Sequence, residues 1–192
     1  MADAPVDFVT HTLAEAARLH GESASAAGPA AAAAVAMIKA LRGGGRILAC
    51  GNGGSAADAQ HFAAELVGRF ERERAAMAAM ALTTDTSILT ALANDYDFTM
   101  VFARQVEALG RPGDVVLGIS TSGGSANVLA AFEAAKAGGL TTVALTGRDG
   151  GVVGKAADIH VNVPAASTAR VQEVHRTLLH AVCALIEREL YA

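Results

Sequence analysis

Hydrophobic and polar positions follow two different periods along this chain, and the change falls at a run of three glycines, Gly43, Gly44 and Gly45. Before it, Phe8, Leu13, Ala16, Ala17 and His20 recur at helical spacing, residues 21–28 interrupt the pattern, and Pro29 suits a helix start ahead of Val35, Met37, Ile38 and Leu41. A helical hairpin is expected over residues 1–42, serving either to pack on the core or to form a subunit interface. After the glycines, short apolar runs alternate with longer amphipathic stretches. Strands are predicted at 46–50, 78–82, 114–119, 141–146 and 158–163, and helices at 55–72, 86–93, 98–109, 126–137 and 169–190. This alternation implies parallel strands joined by right-handed crossovers, hence a doubly wound α/β sheet of five strands with helices on both faces. Such sheets bind ligands beyond the carboxyl ends of their strands, where the strand order reverses. No Pro- or Ser-rich linker divides the 192 residues, so one domain is expected, with residues 43–192 as its α/β core.

Composition narrows the possibilities. With 52% hydrophobic and 18% charged residues and a mean hydropathy of +0.35, the chain is far from a disordered composition. Aromatic residues make up only 4% and Trp is absent, which leaves the core to Ala, Val, Leu and Ile and lets helices approach a sheet closely. Fifteen basic against nineteen acidic residues give a net charge of −4, so no basic field draws in nucleic acid or an acidic membrane. Cys50 and Cys183 are distant and form no CxxC pair, which predicts buried, reduced thiols. The alanine tract 30–34 is bounded by Pro29 and Lys39, short of the roughly 18 apolar residues of a membrane span. Residues 1–7 lack a cationic start followed by an apolar run. A soluble cytoplasmic protein with no nucleic-acid or membrane partner is expected.

Two loops carry the first chemical signal. The first predicted strand runs into Cys50-Gly51-Asn52-Gly53-Gly54-Ser55, immediately before a helix whose free N–H groups and dipole favour an anion. No Lys follows the glycines, so this is not a Walker loop. Gly51-x-Gly53-x-x-Ala56 meets the loose dinucleotide fingerprint, but the acidic residue expected about 20 positions on is missing, Asp85 being the nearest candidate. Tight strand-to-helix packing without a ligand would give the same sequence. The third strand ends in Ser120-Thr121-Ser122-Gly123-Gly124-Ser125, again before a helix. Any one of these hydroxyls could be a helix cap. Together they can surround the oxygens of a phosphate monoester, and two such loops at neighbouring strand ends suit a small phosphorylated substrate.

The second signal is a set of imidazole, carboxylate and amide side chains on two helices. His61 and Glu65 stand four apart, so they share one face and could share a metal or a substrate proton, or merely a surface hydrogen bond. Arg69 and Arg72 continue that helix, as a solvated face or, for Arg69, within reach of an anion. On the last helix Gln172 and His180 are eight apart, about 80° around the axis, so both can face one cavity while His175 points elsewhere. A buried His180 could be a satisfied core residue, but with His61 and Glu65 it has partners for a first-row metal. The Thr83-Thr84-Asp85-Thr86-Ser87 cluster reads as a helix cap and Asn94-Asp95 as a turn, and either could offer hydrogen bonds to a polyol.

Four ordered segments make the constellation recognisable: CGNGGSAADAQHFAAEL at 50–66, ALTTDTSILTALANDYD at 81–97, FARQVEALGRPGDVVLGISTSGGS at 102–125 and RVQEVHRTLLHAV at 170–182. Through them the chain, from about residue 41 to its end, resembles the sugar isomerase (SIS) domain family and most closely its phosphoheptose isomerases. It departs from them at Ala75 and Ala78, where such proteins usually carry prolines, and at Gly124, where a larger polar residue is usual. The resemblance implies a flavodoxin-like sheet, a homotetramer and active sites at the subunit interfaces. It implies conversion of the ketose D-sedoheptulose 7-phosphate to the aldose D-glycero-D-manno-heptose 7-phosphate through an enediol, the first step of ADP/GDP-heptose biosynthesis, with no nucleotide cofactor. It implies substrate contacts from Asn52, Gly53, Gly54, Ser55, Glu65, Asn94, Asp95, Ser120, Thr121, Ser122, Ser125 and Gln172, with Glu65 and His180 as the catalytic pair. Zinc-binding members resemble this chain at His61, Glu65, Gln172 and His180, which implies one zinc per subunit. A related group, bacterial proteins that associate with the DnaA initiator, shares the framework, and Phe70-Glu71-Arg72-Glu73-Arg74 looks like their corresponding segment. That group lacks the equivalents of Glu65 and His180, whose presence here favours the enzyme.

Overall fold

Five short apolar segments pair side by side as parallel strands in the computed structural model, which describes residues 4–191. Residues 1–3, at the head of the N-terminal stretch considered above, and Ala192 lie outside the described residues. The strands are β1 (Ile47–Gly51), β2 (Ala79–Ala81), β3 (Val115–Ser120), β4 (Thr141–Gly147) and β5 (Ile159–Val163). Their order is β2-β1-β3-β4-β5, with Cys50 beside Gly118 and Gly51 beside Ile119 in the β1–β3 register. All five lie within two residues of the predicted positions. The helices are α1 (Pro5–Glu22), α2 (Ala27–Arg42), α3 (Gly54–Val67), α4 (Thr86–Asp95), α5 (Ala103–Leu109), α6 (Ala126–Ala137), α7 (Gly151–Ala156) and α8 (Thr168–Leu190).

Alternate strand residues serve opposite faces, as the two-residue period of a strand requires. Ile47, Ala49, Val115, Leu117 and Ile119 pack against Met37 and Ile38 of α2, Phe62 and Leu66 of α3, and Val182 and Ile186 of α8. Leu48, Cys50, Val116 and Ala144 pack with Val106 of α5, Phe132 of α6 and Val153 of α7. Small residues set the spacing: a Cβ on Gly118 would lie 2.5 Å from Val128 and 2.7 Å from Phe132, so α6 sits directly on the β3 backbone. Both thiols are free and buried, and burial pushes each up to about 12.

The N-terminal helices do not form the expected hairpin. Ser23–Ala26 continue the chain as a 3₁₀ turn, and α2 begins at Ala27 with no reversal between them. The Ser23 hydroxyl donates to the Leu19 carbonyl at 2.7 Å, and Pro29 falls in the first turn of α2, where its missing N–H leaves no helical bond unmade. Both helices instead lie along α8: Arg170 Nη1 donates to the Thr12 carbonyl and Arg42 Nη2 to the Glu189 carbonyl. The helical run Pro5–Arg42 also corrects the expectation about membrane spans, because by length and composition alone it could cross a bilayer, with a mean hydropathy of 1.4. Alanine supplies that hydropathy, and in α2 it is the core that takes it up, through Ala30, Ala33, Ala34, Met37 and Ile38. On α1, by contrast, Val6, Phe8, Val9 and Leu13 remain exposed.

Three further helices differ from expectation. The helix predicted at 98–109 divides into a 3₁₀ turn at Phe98–Met100 and α5, and α7 was not foreseen because its glycines, Gly151 and Gly154, hide its pattern. The helix predicted to reach residue 72 ends at Val67, which takes Arg69 and Arg72 off it. Its end is stopped by Gly68 and by one buried ion pair. Arg74 Nε donates to Glu187 Oε1 at 3.0 Å, and the two side chains are 1% and 2% exposed. Arg74 also donates to the carbonyls of Glu65, Leu66 and Gly68, groups that another helical turn would otherwise have used. Glu187 accepts the backbone N–H groups of Phe70, Glu71 and Arg72.

Burial raises the Glu187 pKa, but those three N–H groups and the Arg74 guanidinium outweigh it and hold the carboxyl below its ordinary value. A depressed carboxyl contributes stability that is complete above its unfolded value, near pH 4.3, and disappears as pH falls through the folded value. Denaturant titrations of the wild type and of Glu187→Gln are therefore expected to differ most at neutral pH and to converge as pH drops below about 4.

A cleft at the carboxyl edge of the sheet

The order 2-1-3-4-5 places its reversal between β1 and β3, and the two polar loops leave the sheet there. Asn52 on the first loop and Asn127 at the start of α6 join them by a reciprocal amide pair, each Nδ2 donating to the other's Oδ1 at 2.9 Å. Asn127 is buried and was missed from the sequence, where an Asn inside a predicted helix carries no signal. Around the β3 loop, Ser120 Oγ lies 2.8 Å from Ser125 Oγ and 3.5 Å from Ser122 Oγ, and Ser122 accepts from Gly124 N–H at 3.2 Å. Ser125 is the N-cap residue of α6 but makes no side-chain cap bond. Its hydroxyl faces the loop rather than the helix.

Gly53 begins α3 with φ +56°, a left-handed conformation that favours glycine, and Gly54 opens the helix. A Cβ on Gly54 would run into the Gln172 amide, which lies against it. Gln172 and His180 line the same cleft of about 690 Å³, with Gly54 and Asp58 of α3 and with Thr12, Leu13 and His20 of α1. His20 Nδ1 donates to the Ala16 carbonyl at 2.8 Å, and its Nε2 lies 3.0 Å from Thr177 Oγ1. Nothing in the helical pattern distinguished this His from its apolar neighbours.

His61, Glu65 and His180 converge. His61 Nε2 is 2.9 Å from His180 Nε2 and 3.3 Å from Glu65 Oε1, and all three donor atoms lie within 4.8 Å of one another. Two imidazole nitrogens and a carboxylate oxygen aimed at one point are donors that zinc accepts, so the chemistry of the set fits such an ion. Two contacts hold the carrier helices in register. Arg176 donates to buried Asp58 through Nη2 at 2.6 Å and Nε at 3.2 Å, one helical turn before His180 and before His61 respectively. On the other side the Phe70 ring lies 5.5 Å from the His180 ring, tilted by 31°. His175 is buried and faces away, its Nε2 donating to the Thr146 carbonyl at 2.9 Å, and burial lowers its pKa.

Other candidates lie elsewhere. Asn94 and Asp95 hydrogen-bond to each other at the exposed end of α4, outside the cleft lining. Asp85 caps α4 by accepting from Ile88 N–H at 2.9 Å. Arg69 approaches Glu73 at 3.9 Å in solvent, and Arg72 Nη1 reaches the Tyr191 carbonyl at 3.4 Å.

Residues 13–147 match the model of the SIS domain family. The chain is 60% identical over 155 residues to the phosphoheptose isomerase of Roseiflexus sp. (strain RS-1), covering 81% of this chain and 79% of that one. The chain belongs to the SIS domain family, among its phosphoheptose isomerases. The phosphoheptose isomerase of Aromatoleum aromaticum is 57% identical over 179 residues, 91% of this chain and 90% of its own. The solved phosphoheptose isomerase of Neisseria gonorrhoeae superposes with a TM-score of 0.91 at 50% identity, covering 96% of this chain and 100% of that one. That of Francisella tularensis gives 0.93 at 38% identity, covering 97% and 100%.

The amide pair predicts a stability effect. Asn127→Ala leaves the Asn52 amide without its buried partner and is expected to lower unfolding free energy by about 1–3 kcal/mol, read by denaturant titration.

Proposed function

We propose that this phosphoheptose isomerase interconverts D-sedoheptulose 7-phosphate and D-glycero-D-manno-heptose 7-phosphate, with Glu65 and His180 moving the proton. The observation that carries the assignment of these residues is the meeting of His61, Glu65 and His180, with His180 on the lining of the cleft that Gly54 and Gln172 share. Ketose and aldose differ by one proton between adjacent carbons and by which of two oxygens is the carbonyl. Glu65 takes the proton from the first carbon while His180 gives one to the carbonyl oxygen, forming the enediol. His180 then takes the proton from the hydroxyl on the first carbon, which becomes the aldehyde, while Glu65 delivers the carbon proton to the second carbon, giving the aldose. Ser120, Thr121, Ser122 and Ser125, with the α6 N-terminus, hold the phosphate, and Asn52, Gly53, Gly54, Ser55 and Gln172 line the sugar. Binding at the distant phosphate thereby aligns the reacting carbons with both side chains.

His61, Glu65, Gln172 and His180 would hold one zinc ion per subunit. Zinc bound there supplies Lewis acidity toward the sugar oxygens. Glu65 and His180 remain the groups that carry protons. The fold supports a homotetramer with sites at its interfaces. Val6, Phe8, Val9 and Leu13 leave α1 with an exposed apolar face beside the cleft, and α4 has no buried residue. Asn94 and Asp95, outside the cleft of their own chain, then reach the sugar of a neighbouring subunit. On this reading residues 1–42 serve packing and assembly, and residues 43–192 form the catalytic core of one domain. A charged sugar phosphate does not cross a bilayer freely, which supports a cytoplasmic location for the reaction.

Purified protein incubated with sedoheptulose 7-phosphate is expected to yield the aldose, and no aldose formation would defeat the proposal. Glu65→Gln and His180→Gln are each expected to reduce kcat by about 10²-fold or more while the oligomer persists, measured by initial rates and light scattering. Metal analysis joined to rates before and after chelation tests zinc: activity should fall with the metal and return when zinc is added back. Full turnover by demonstrably metal-free enzyme would remove zinc from the reaction.

A further inference from the structure

The segment Phe70-Glu71-Arg72-Glu73-Arg74 stood out in the sequence, and the reaction just described uses none of it. In the fold it is wrapped around the buried Arg74–Glu187 pair, and the remaining atoms of both partners lead to the proposed catalytic groups. Arg74 Nη2 donates to the backbone carbonyl of Glu65 at 2.6 Å, and Nη1 donates to those of Leu66 at 2.8 Å and Gly68 at 3.0 Å. One guanidinium therefore closes the helical turn that carries the Glu65 carboxylate. Glu187 accepts the Phe70 N–H at 2.9 Å, fixing the residue whose ring packs on the His180 imidazole. Glu187 and His180 also lie on the same helix, seven residues apart.

We infer that Arg74 and Glu187 are positioning residues for the isomerisation, one ion pair holding Glu65 through its backbone and His180 through the Phe70 ring. The inference rests on the proposed roles of Glu65 and His180. Arginine is required by the geometry. A planar fork reaches a carboxylate and four carbonyls, that of Ala75 included, in different directions, whereas a lysine ammonium presents its donors from one point. A purely structural pair would stabilise the fold without affecting the rate of each folded subunit.

The test is the steady-state kinetics of full-length Arg74→Lys and Phe70→Leu with sedoheptulose 7-phosphate, alongside thermal melts and light scattering. Arg74→Lys keeps the charge facing Glu187 and loses the carbonyl contacts. It is expected to lower kcat about tenfold or more with KM within about twofold, at temperatures well below its melting point. Phe70→Leu keeps an apolar side chain and leaves the ion pair intact, and is expected to lower kcat about threefold or more, again with KM little changed. Wild-type kcat in Arg74→Lys, or a rise in KM alone, would overturn the inference. So would an Arg74→Lys that fails to fold alongside a Phe70→Leu with wild-type kcat. An inactive wild type would overturn the isomerase reading and this inference together, and that outcome appears before any substitution is made.

Discussion

The crossing of α3 and α8 is the constraint on which the proposed active site depends. His61 and Glu65 project from one helix and Gln172 and His180 from the other, so a slip of one turn, about 5.4 Å, would separate the imidazoles that now stand 2.9 Å apart. Apolar packing of Phe62, Leu66, Val182 and Ile186 brings the helices together but specifies the register poorly, because it is non-directional. Ion pairs on either side of the cluster supply the direction. Asp58–Arg176 lies a turn before it and Arg74–Glu187 lies beyond it. A buried charge pair such as Arg74–Glu187 adds little net stability against an apolar substitute, and its contribution is better sought in the geometry it imposes.

The second determinant is the sheet. Only a strand order that reverses between β1 and β3 lets the loops after those strands open around one space. The Asn52–Asn127 amide pair closes the gap between the loops, and the hydroxyls of Ser120, Ser122 and Ser125 bond to one another rather than capping α6. The loose dinucleotide fingerprint in the first loop has a different structural context. The strand order is not the 3-2-1-4-5-6 of dinucleotide-binding sheets, and Asp85, the acidic candidate, is engaged as a helix cap. Likewise the charged segment 70–74, which resembled that of an initiator-binding relative, is folded inward at Arg74 by Glu187. Identity of 57–60% to phosphoheptose isomerases over most of the chain agrees with the presence of Glu65 and His180.

Local rules made most of the secondary structure legible. Strand positions followed from apolar runs bounded by glycine and polar residues, and α6 was located to the residue. His61 and Glu65 could be placed together because an i, i+4 relation is a property of one helix. Failures came where a distant partner overrode local preference. The helix expected to reach residue 72 stops at Val67 because Glu187, more than a hundred residues away, takes the next backbone N–H groups. The expected hairpin at residues 1–42 is a helical run because Ser23 bonds back to Leu19 and α8 offers a continuous surface to lie along.

By itself, then, the amino-acid order determined the class of sheet, the two anion-seeking loops and the identity of the chemical groups, since each of these depends on periodicity or on residues close in sequence. The tertiary structure alone decided that His180 meets His61, that Asn127 clasps Asn52, that His20 enters the cleft and that Arg74 grips the backbone of Glu65. Those contacts join residues from 9 positions apart, for Arg74 and Glu65, to 157, for His20 and Thr177. Most are non-local, and directional bonds of that kind come into existence only when packing has fixed the angle and register of the elements that bear them.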